Sequence, residues 1–227
     1  MEGRPAAAKR RDGLPLSAFL ERTLLEMSRN PLIELADNLA RDADIRSKEE
    51  GDAGPFLEAL AEFLQGRQFA IIGGVAVRSY VRDRPTLDFD LMISDAEWPD
   101  LVRFLSEHGA ESAGSVEDTF LYTFGDFKLD LDIRIARSDL DREALGAVVT
   151  RRFKKWILRV VKPDHLAAMK LKAHSERKGT RKGDRDRNDV LDLLAGHASE
   201  AALRELLGRH RPDLIAVLEE VLRAGRA

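Results

Sequence analysis

The stretch from Phe69 to Ile93 constrains the fold of this chain more than any other. Its apolar start, Phe69–Ile72, predicts a β-strand that runs directly into the pair Gly73-Gly74. Glycines at the end of a strand let the backbone come close to a ligand, and the N–H groups of a following helix then point at that ligand. We expect this short helix over Val75–Tyr80, and a second strand over Leu87–Ile93 after a proline-containing turn.

Two aspartates, Asp88 and Asp90, stand close together in the second strand. Side chains alternate along a strand, so both carboxylates leave one face while Leu87, Phe89 and Leu91 leave the other. Neighbouring carboxylates repel each other unless a cation lies between them, and Mg²⁺ binds carboxylate and phosphate oxygens together with water. The stretch therefore predicts a place for phosphates beside a place for a metal ion.

Composition excludes several classes of function. The chain has 227 residues, 44% of them hydrophobic, which fits one large soluble domain or two small ones. It contains no cysteine, which excludes disulfides, cysteine–zinc sites and thiol catalysis and fits a reducing compartment such as the cytoplasm. No apolar run approaches the roughly 18–20 residues of a membrane span. Residues 1–13 lack the apolar core of a secretory signal, and we expect a disordered basic tail there.

Positive charge is concentrated in one part of the chain. The formal net charge is only −3, yet residues 151–187 contain fourteen Lys or Arg against four Asp or Glu. Such a basic segment suits the phosphates of a nucleotide or of an RNA. The alternative interpretation is a solvated helical face and loop that bind nothing.

A strict alternation of apolar and charged residues marks Phe127–Ile135, which we expect to pair with Phe120–Phe124 as a β-hairpin. The charged residues share one face of the strand and are, in order, Lys128, Asp130, Asp132 and Arg134. A solvated strand face would explain this alternation without any function. In the alternative interpretation, an acid of this strand supplies a third carboxylate to the metal site.

The rest of the chain reads mostly as helix. We expect an N-terminal helical segment over residues 14–54, a core with the strands over 55–162, and a C-terminal helical domain over 163–227.

Within the C-terminal part, a helix is expected from Pro163 and a charged, glycine-rich, mobile loop over residues 179–187. His165 and His174 lie nine residues apart on that helix. Nine is not the spacing of a metal-binding pair, so we expect both histidines on the surface.

Together, these residues resemble a known family. Gly73-Gly74, a spacer, Thr86–Asp90 and a later carboxylate on a strand look like the nucleotidyltransferase superfamily of DNA polymerase β type. The segment 162–194, KPDHLAAMKLKAHSERKG…DRNDVLDLL, is similar to the helical region of the AbiEii/AbiGii toxin-type nucleotidyltransferases. The resemblance covers roughly residues 55–195. It implies an α+β fold with a small mixed β-sheet core, flanked by helices and followed by a C-terminal helical region.

The resemblance also implies a metal site. Asp88 and Asp90 would hold Mg²⁺ or Mn²⁺. Asp130 would be the third carboxylate, acting as a metal ligand and helping to activate the attacking hydroxyl. Asp132 lies on the same face and is the alternative for that role.

Further roles follow from the same resemblance. Lys170 would neutralise charge on the triphosphate, and Asp189, or else Asp192, would orient that lysine or the acceptor. The family often has a serine hydroxyl on the nucleotide phosphate where this chain has a second glycine. The positions that would bind the nucleotide besides Lys170 are Gly73, Gly74, Arg84 and Thr86.

The implied activity is transfer of a nucleoside monophosphate from an NTP to a hydroxyl acceptor on RNA, tRNA or a protein, with release of pyrophosphate. The implied setting is cytoplasmic, away from membranes, as the toxin-like component of a toxin–antitoxin or phage-defence system with a cognate antitoxin. One alternative is a non-catalytic nucleotide-binding or toxin–antitoxin partner module with the same fold. Another is a structural α/β protein whose acids are merely solvated.

Overall fold

The computed structural model describes residues 54–81, 88–124, 129–153 and 156–226. The expected basic tail over residues 1–13 lies outside the described residues, as does the expected helical segment over 14–54 apart from Gly54.

The described residues form eight α-helices and seven β-strands. In chain order, these are α1 (Gly54–Phe63), β1 (Phe69–Ile71), α2 (Gly73–Arg78), β2 (Asp88–Ile93), α3 (Trp98–Glu107), β3 (Ala110–Val116), β4 (Thr119–Phe124), β5 (Asp130–Ile135), α4 (Asp139–Gly146), β6 (Val148–Phe153), β7 (Trp156–Val161), α5 (Pro163–Glu176), α6 (Arg181–Gly196), α7 (Glu200–His210) and α8 (Ile215–Ala224), with a 3₁₀ turn over Pro212–Leu214.

The strands form one mixed sheet in the order β3-β4-β5-β2-β1-β7-β6. Strand β2 pairs in parallel with β5 and antiparallel with β1, and β1 pairs in parallel with β7. The helices α5 to α8 follow the last strand. The predicted class, a mixed sheet flanked by helices and followed by a C-terminal helical region, is confirmed.

One face of β2 and β5 is apolar and belongs to the core. Phe89, Leu91, Leu131 and Ile133 alternate with charged residues and are at most 3% exposed. Aromatic rings of α1, α3 and β4 also pack together. The centroids of the Phe56 and Phe124 rings are 4.3 Å apart. Because this face is filled by apolar side chains, the charged residues of both strands are left on the opposite face.

The expected mobile loop over 179–187 is wrong for residues 181–187, which form the first turns of α6. The hydroxyl of Thr180 accepts a hydrogen bond from the N–H of Gly183 at 3.0 Å and so caps this helix. Glycine and a run of charges are typical of a break, but here the cap and the packing of α6 on α5 outweigh the low helix propensity of glycine.

The expectation that His165 and His174 lie on the surface is also wrong. Their exposed fractions are 8% and 5%. Nδ1 of His174 lies 2.8 Å from the carbonyl oxygen of Gly183, and Nε2 of His165 lies 3.3 Å from the Glu143 carboxylate. Both histidines are therefore structural links from α5 to neighbouring elements.

None of the helices in the described ranges combines the length and the apolar character that crossing a bilayer requires.

Candidate active site

The parallel pairing of β2 with β5 brings four carboxylates together. Asp88 lies opposite Asp130, and Asp90 lies opposite Asp132. Partners on adjacent strands project to the same face of a sheet, so the two acids of one strand stand beside the two acids of the other. Asp88 and Asp130 are exposed, whereas Asp90 and Asp132 are partly buried. We call these four side chains the carboxylate cluster.

The glycine pair lies directly against this cluster. Gly73 has a φ of +62°, and a Cβ placed on it would lie 1.9 Å from Oδ2 of Asp90. The N–H of Gly74 donates a hydrogen bond to the same Oδ2 at 3.2 Å. Only glycine satisfies both the backbone angle and the space at position 73. The bend after β1 and the acids of β2 therefore form one site.

Burial and the neighbouring acids change the acidity of Asp132. Burial, followed by the charges of Asp90, Asp88 and Asp130, raises the pKa of Asp132 to about 6. The positive charge of Lys182 acts in the opposite direction.

Arg134 lies on the same face of β5 as Asp130 and Asp132, but its guanidinium pairs with an acid of α4. Its guanidinium donates two hydrogen bonds of 3.0 Å each to the carboxylate of Asp141, which is only 1% exposed. This bidentate pair fixes α4 against the sheet. It was not foreseen from the sequence, because Asp141 lies in a separate helix.

Lys170 lies between two carboxylates of α6. Its Nζ is 2.8 Å from Oδ1 of Asp186 and 3.0 Å from Oδ2 of Asp189, and all three side chains are largely buried. The structure thus brings together the two helical residues singled out in the sequence, Lys170 and Asp189. Sequence reasoning missed Asp186, although its spacing of three from Asp189 would have placed both on one face once α6 was recognised.

The remaining candidates fall outside this arrangement. Asp192 is exposed on α6. Arg84 and Thr86 lie outside the described residues.

The carboxylate cluster offers the donors that a hard cation prefers. Mg²⁺ and Mn²⁺ bind carboxylate oxygens, and a bound cation would offset the repulsion that, after burial, raises the pKa of Asp132. As the side chains stand, no three acids or histidines of the described residues are grouped closely enough to ligate a single ion.

A cavity of about 530 Å³ lies further along the sheet. Arg134 and Asp141 line it together with Met169 and Lys172 of α5 and His210 of α7. Arg134 is two residues beyond Asp132 on the same face of β5, a separation of roughly 7 Å along a strand. The cavity therefore lies close to the carboxylate cluster.

No family model matches this sequence, and no curated protein matches it. Solved structures do resemble its fold. The crystal structure of ANT(2")-Ia in complex with adenylyl-2"-tobramycin has a TM-score of 0.54 and 16% identity over 70% of this chain and 97% of that chain. The solution structure of the antibiotic-resistance factor ANT(2'')-Ia has a TM-score of 0.50 and 16% identity. The match covers 71% of this chain and 91% of that chain.

A third similar structure is that of an antigenic nucleotidyltransferase-like protein from Paracoccidioides brasiliensis, with a TM-score of 0.47 and 21% identity over 73% of this chain and 91% of that chain. The narrower resemblance to the AbiEii/AbiGii toxin-type enzymes stays a prediction. At these low identities, the comparisons show a shared fold, and the two structures of ANT(2")-Ia carry that conclusion.

Proposed function

We propose that this protein is a nucleotidyltransferase that moves a nucleoside monophosphate from an NTP to a hydroxyl acceptor and releases pyrophosphate. The observation that carries the proposal is the pairing of Asp88 and Asp90 with Asp130 and Asp132 beside the bend at Gly73. A stretch of backbone without a side chain and a set of four acids on one sheet face suit a polyphosphate accompanied by cations.

In the proposed reaction, the acceptor oxygen attacks the α-phosphorus. The new bond joins that oxygen to phosphorus, the bond from phosphorus to the β-phosphate oxygen breaks, and pyrophosphate leaves with the electron pair. The acceptor proton must pass to a base. We assign this role to Asp132, which pairs with Asp90 and is partly buried, in preference to the exposed Asp130.

Asp88 and Asp90, with Asp130 as a third carboxylate, would hold Mg²⁺ or Mn²⁺, while Asp132 would act as the base. When bound, the metal would neutralise charge on the attacking and leaving oxygens. The chain itself contributes the close approach at Gly73 and Gly74 and the orientation of the acids by the β2–β5 ladder.

The acceptor would lie in the cavity beside Arg134. Its volume of about 530 Å³ suits a small molecule or the end of a larger one, and most of the residues that line it are of charged or polar types. The basic character of residues 151–187 favours RNA, tRNA or a protein as acceptor. A toxin-like role with a cognate antitoxin rests on the AbiEii/AbiGii resemblance alone, and growth arrest on induced expression is its test.

The activity is tested by incubating the purified protein with each α-³²P-labelled NTP, Mg²⁺ and total RNA or cell lysate. We expect label to enter an acceptor, and Asp88→Asn or Asp90→Asn to abolish transfer. Glu111→Gln, at an exposed acid on β3 of the same sheet, is the matched control and should leave transfer unchanged. Unchanged labelling by the Asp88 and Asp90 variants would contradict the proposal.

Calorimetry and an assay of pyrophosphate release test the alternative of a non-catalytic nucleotide-binding module. Such a module would bind NTP in calorimetry and release no pyrophosphate with Mg²⁺ present. The absence of a preformed three-ligand group among the described residues is the observation in its favour.

A further inference from the structure

A group of exposed cations surrounds the turn that joins α5 to α6. We call these five side chains the basic tip, and they are Arg177, Lys178, Arg181, Lys182 and Arg185. Lys178 pairs with Glu220 of α8 at 2.7 Å, and Arg177 lies 3.5 Å from Asp186. The other three make no ion pair within the described ranges. Most of the positive charge of the basic tip is therefore available to a ligand.

The acids of α6 do not offset this charge. Asp186 and Asp189 are 4% and 3% exposed, and they hold Lys170 of α5 at 2.8 and 3.0 Å. The exposed acid Asp184 lies 3.8 Å from Arg187, three residues further along the helix. The negative charges of this helix are thus mostly turned inward, and the positive charges are left on the surface.

The backbone that carries the basic tip is fixed. A Cβ on Gly183 would lie 2.2 Å from the carbonyl oxygen of Arg177, so the turn is tightly packed there. The Thr180 hydroxyl accepts a hydrogen bond from the Gly183 N–H, and the Gly183 carbonyl oxygen lies 2.8 Å from Nδ1 of buried His174. A ligand therefore meets cations on an ordered surface and orders little more than their side chains when it binds.

The arrangement is unfavourable for the free protein. Arg181 and Lys182 lie in the first turn of α6, at the positive end of the helix dipole. Arg181 and Arg185 are four residues apart, the spacing at which like charges destabilise a helix. A bound polyanion would offset both effects, whereas a face that merely keeps the protein in solution gains nothing from this order of charges.

The surroundings of the basic tip indicate what kind of polyanion fits. Among the described residues, the large apolar side chains that are exposed are Val116 of β3 and Ile157 of β7, and neither belongs to α5 or α6. A protein partner is usually anchored by aromatic or aliphatic side chains, and a membrane surface requires an apolar face. A chain of phosphates requires neither.

We propose that the basic tip is a docking surface for the phosphate backbone of RNA. Three of its five side chains are arginines, whose planar guanidinium matches two oxygens of a phosphate. The choice of RNA over DNA rests on the proposed function, because that reaction needs a hydroxyl acceptor and every ribose of RNA carries a hydroxyl. Docking itself requires neither NTP nor metal.

The test is fluorescence anisotropy with a short labelled RNA in EDTA and without NTP, at several salt concentrations. Arg181→Ala/Arg185→Ala should weaken binding roughly tenfold to thirtyfold near physiological salt, and lower the slope of log Kd against log salt by about 2. Arg103→Ala/Lys162→Ala removes two exposed cations elsewhere and is the matched control. Lys162 precedes α5 and is about 22 Å from Arg177 along that helix. The control should change Kd by less than about threefold.

Thermal melting of both double variants excludes a folding defect as the cause. Equal weakening in the two variants would show diffuse electrostatics and overturn the inference, as would wild-type affinity in Arg181→Ala/Arg185→Ala or no RNA binding by the wild type. Binding of DNA of the same sequence, of polyglutamate or of vesicles with equal parts of phosphatidylserine and phosphatidylcholine as tightly as RNA would also overturn it.

The labelling assay separates this inference from the proposed function. If RNA binding depends on the basic tip but no label enters any acceptor, the proposed function fails and the docking surface stands. If label enters an acceptor but RNA binds equally to the wild type and to Arg181→Ala/Arg185→Ala, the docking surface fails and the proposed function stands.

Discussion

Gly73 and Asp90 approach each other so closely that no side chain fits between them. A Cβ on Gly73 would lie 1.9 Å from Oδ2 of Asp90, and the backbone at Gly73 has a φ of +62°. This contact joins the bend after β1 to the carboxylate cluster. The geometry of both therefore requires a residue without a Cβ atom at position 73.

Gly73→Ala should therefore destabilise the protein and abolish nucleotidyl transfer. The left-handed backbone costs an alanine about 1–2 kcal/mol, and the clash with Asp90 adds about 1–3 kcal/mol. Urea unfolding measures the loss. Gly109→Ala is the matched control, because Gly109 has a φ of +75° but open space around its Cβ position. Equal losses in both variants would show that the contact with Asp90 is unimportant.

Asp132→Asn should stabilise the metal-free protein while reducing transfer. In the folded protein the pKa of Asp132 is raised to about 6 from an ordinary value of 3.8. A carboxyl group with a raised pKa binds its proton more tightly in the folded state, so its ionised form opposes folding once the pH exceeds the unfolded value. Because the side chain is only half-buried, we expect a gain of about 1 kcal/mol at pH 7.5 after allowance for solvent screening.

Thermal melting in EDTA at pH 7.5 and at pH 4 measures this gain. The difference between Asp132→Asn and wild type should shrink at the lower pH, where the folded wild type already carries the proton. The exposed Asp130→Asn is the control and should stabilise less. A loss of stability in Asp132→Asn at pH 7.5 would contradict the charge crowding inferred for the cluster.

Lys170→Met should destabilise the packing of α5 on α6. Removing the ammonium leaves Asp186 and Asp189 buried without their shared cation, and breaking a buried pair in this way costs about 3–5 kcal/mol. The triple variant Lys170→Met/Asp186→Asn/Asp189→Asn should recover much of that loss, since no uncompensated charge remains. Chemical denaturation of the wild type, Lys170→Met, Asp186→Asn/Asp189→Asn and the triple variant measures the coupling, and additive losses would show that the lysine and the two aspartates act independently.

The carboxylate cluster could be predicted from the sequence because it depends on the two-residue period of a strand. Alternation alone placed Asp88 with Asp90 and Asp130 with Asp132 on shared faces, and the register of β2 on β5 then joins the two pairs. That Asp132 is partly buried and Asp130 exposed could not be predicted, because burial depends on how separate elements pack around the two strands.

The helical half of the site was less predictable. Gly179 and Gly183 looked like breaks, so the start of α6 was missed and Lys182 and Asp186 were assigned to a loop. The pairing of Arg134 with Asp141 and the burial of His165 depend on contacts between separate elements, and no local pattern indicates such contacts.

His165 should make the stability of the protein depend on pH near neutrality. Burial lowers the pKa of His165 below its ordinary value of 6.5, although Glu143 opposes this effect. The charged groups that act on the ring are Glu143, Asp164 and Lys162, and its Nδ1 has no hydrogen-bond partner among the described residues. As the pH falls below about 6.5, the unfolded chain takes up the proton before the folded one does, so stability is lost.

Urea unfolding at pH 7.5 and pH 5.5 should show a smaller loss of stability for His165→Phe than for wild type. His108→Phe, at an exposed histidine after α3, should keep the wild-type dependence. If His165→Phe loses as much stability as wild type between these two pH values, the dependence arises from other groups, and the buried imidazole is not its source.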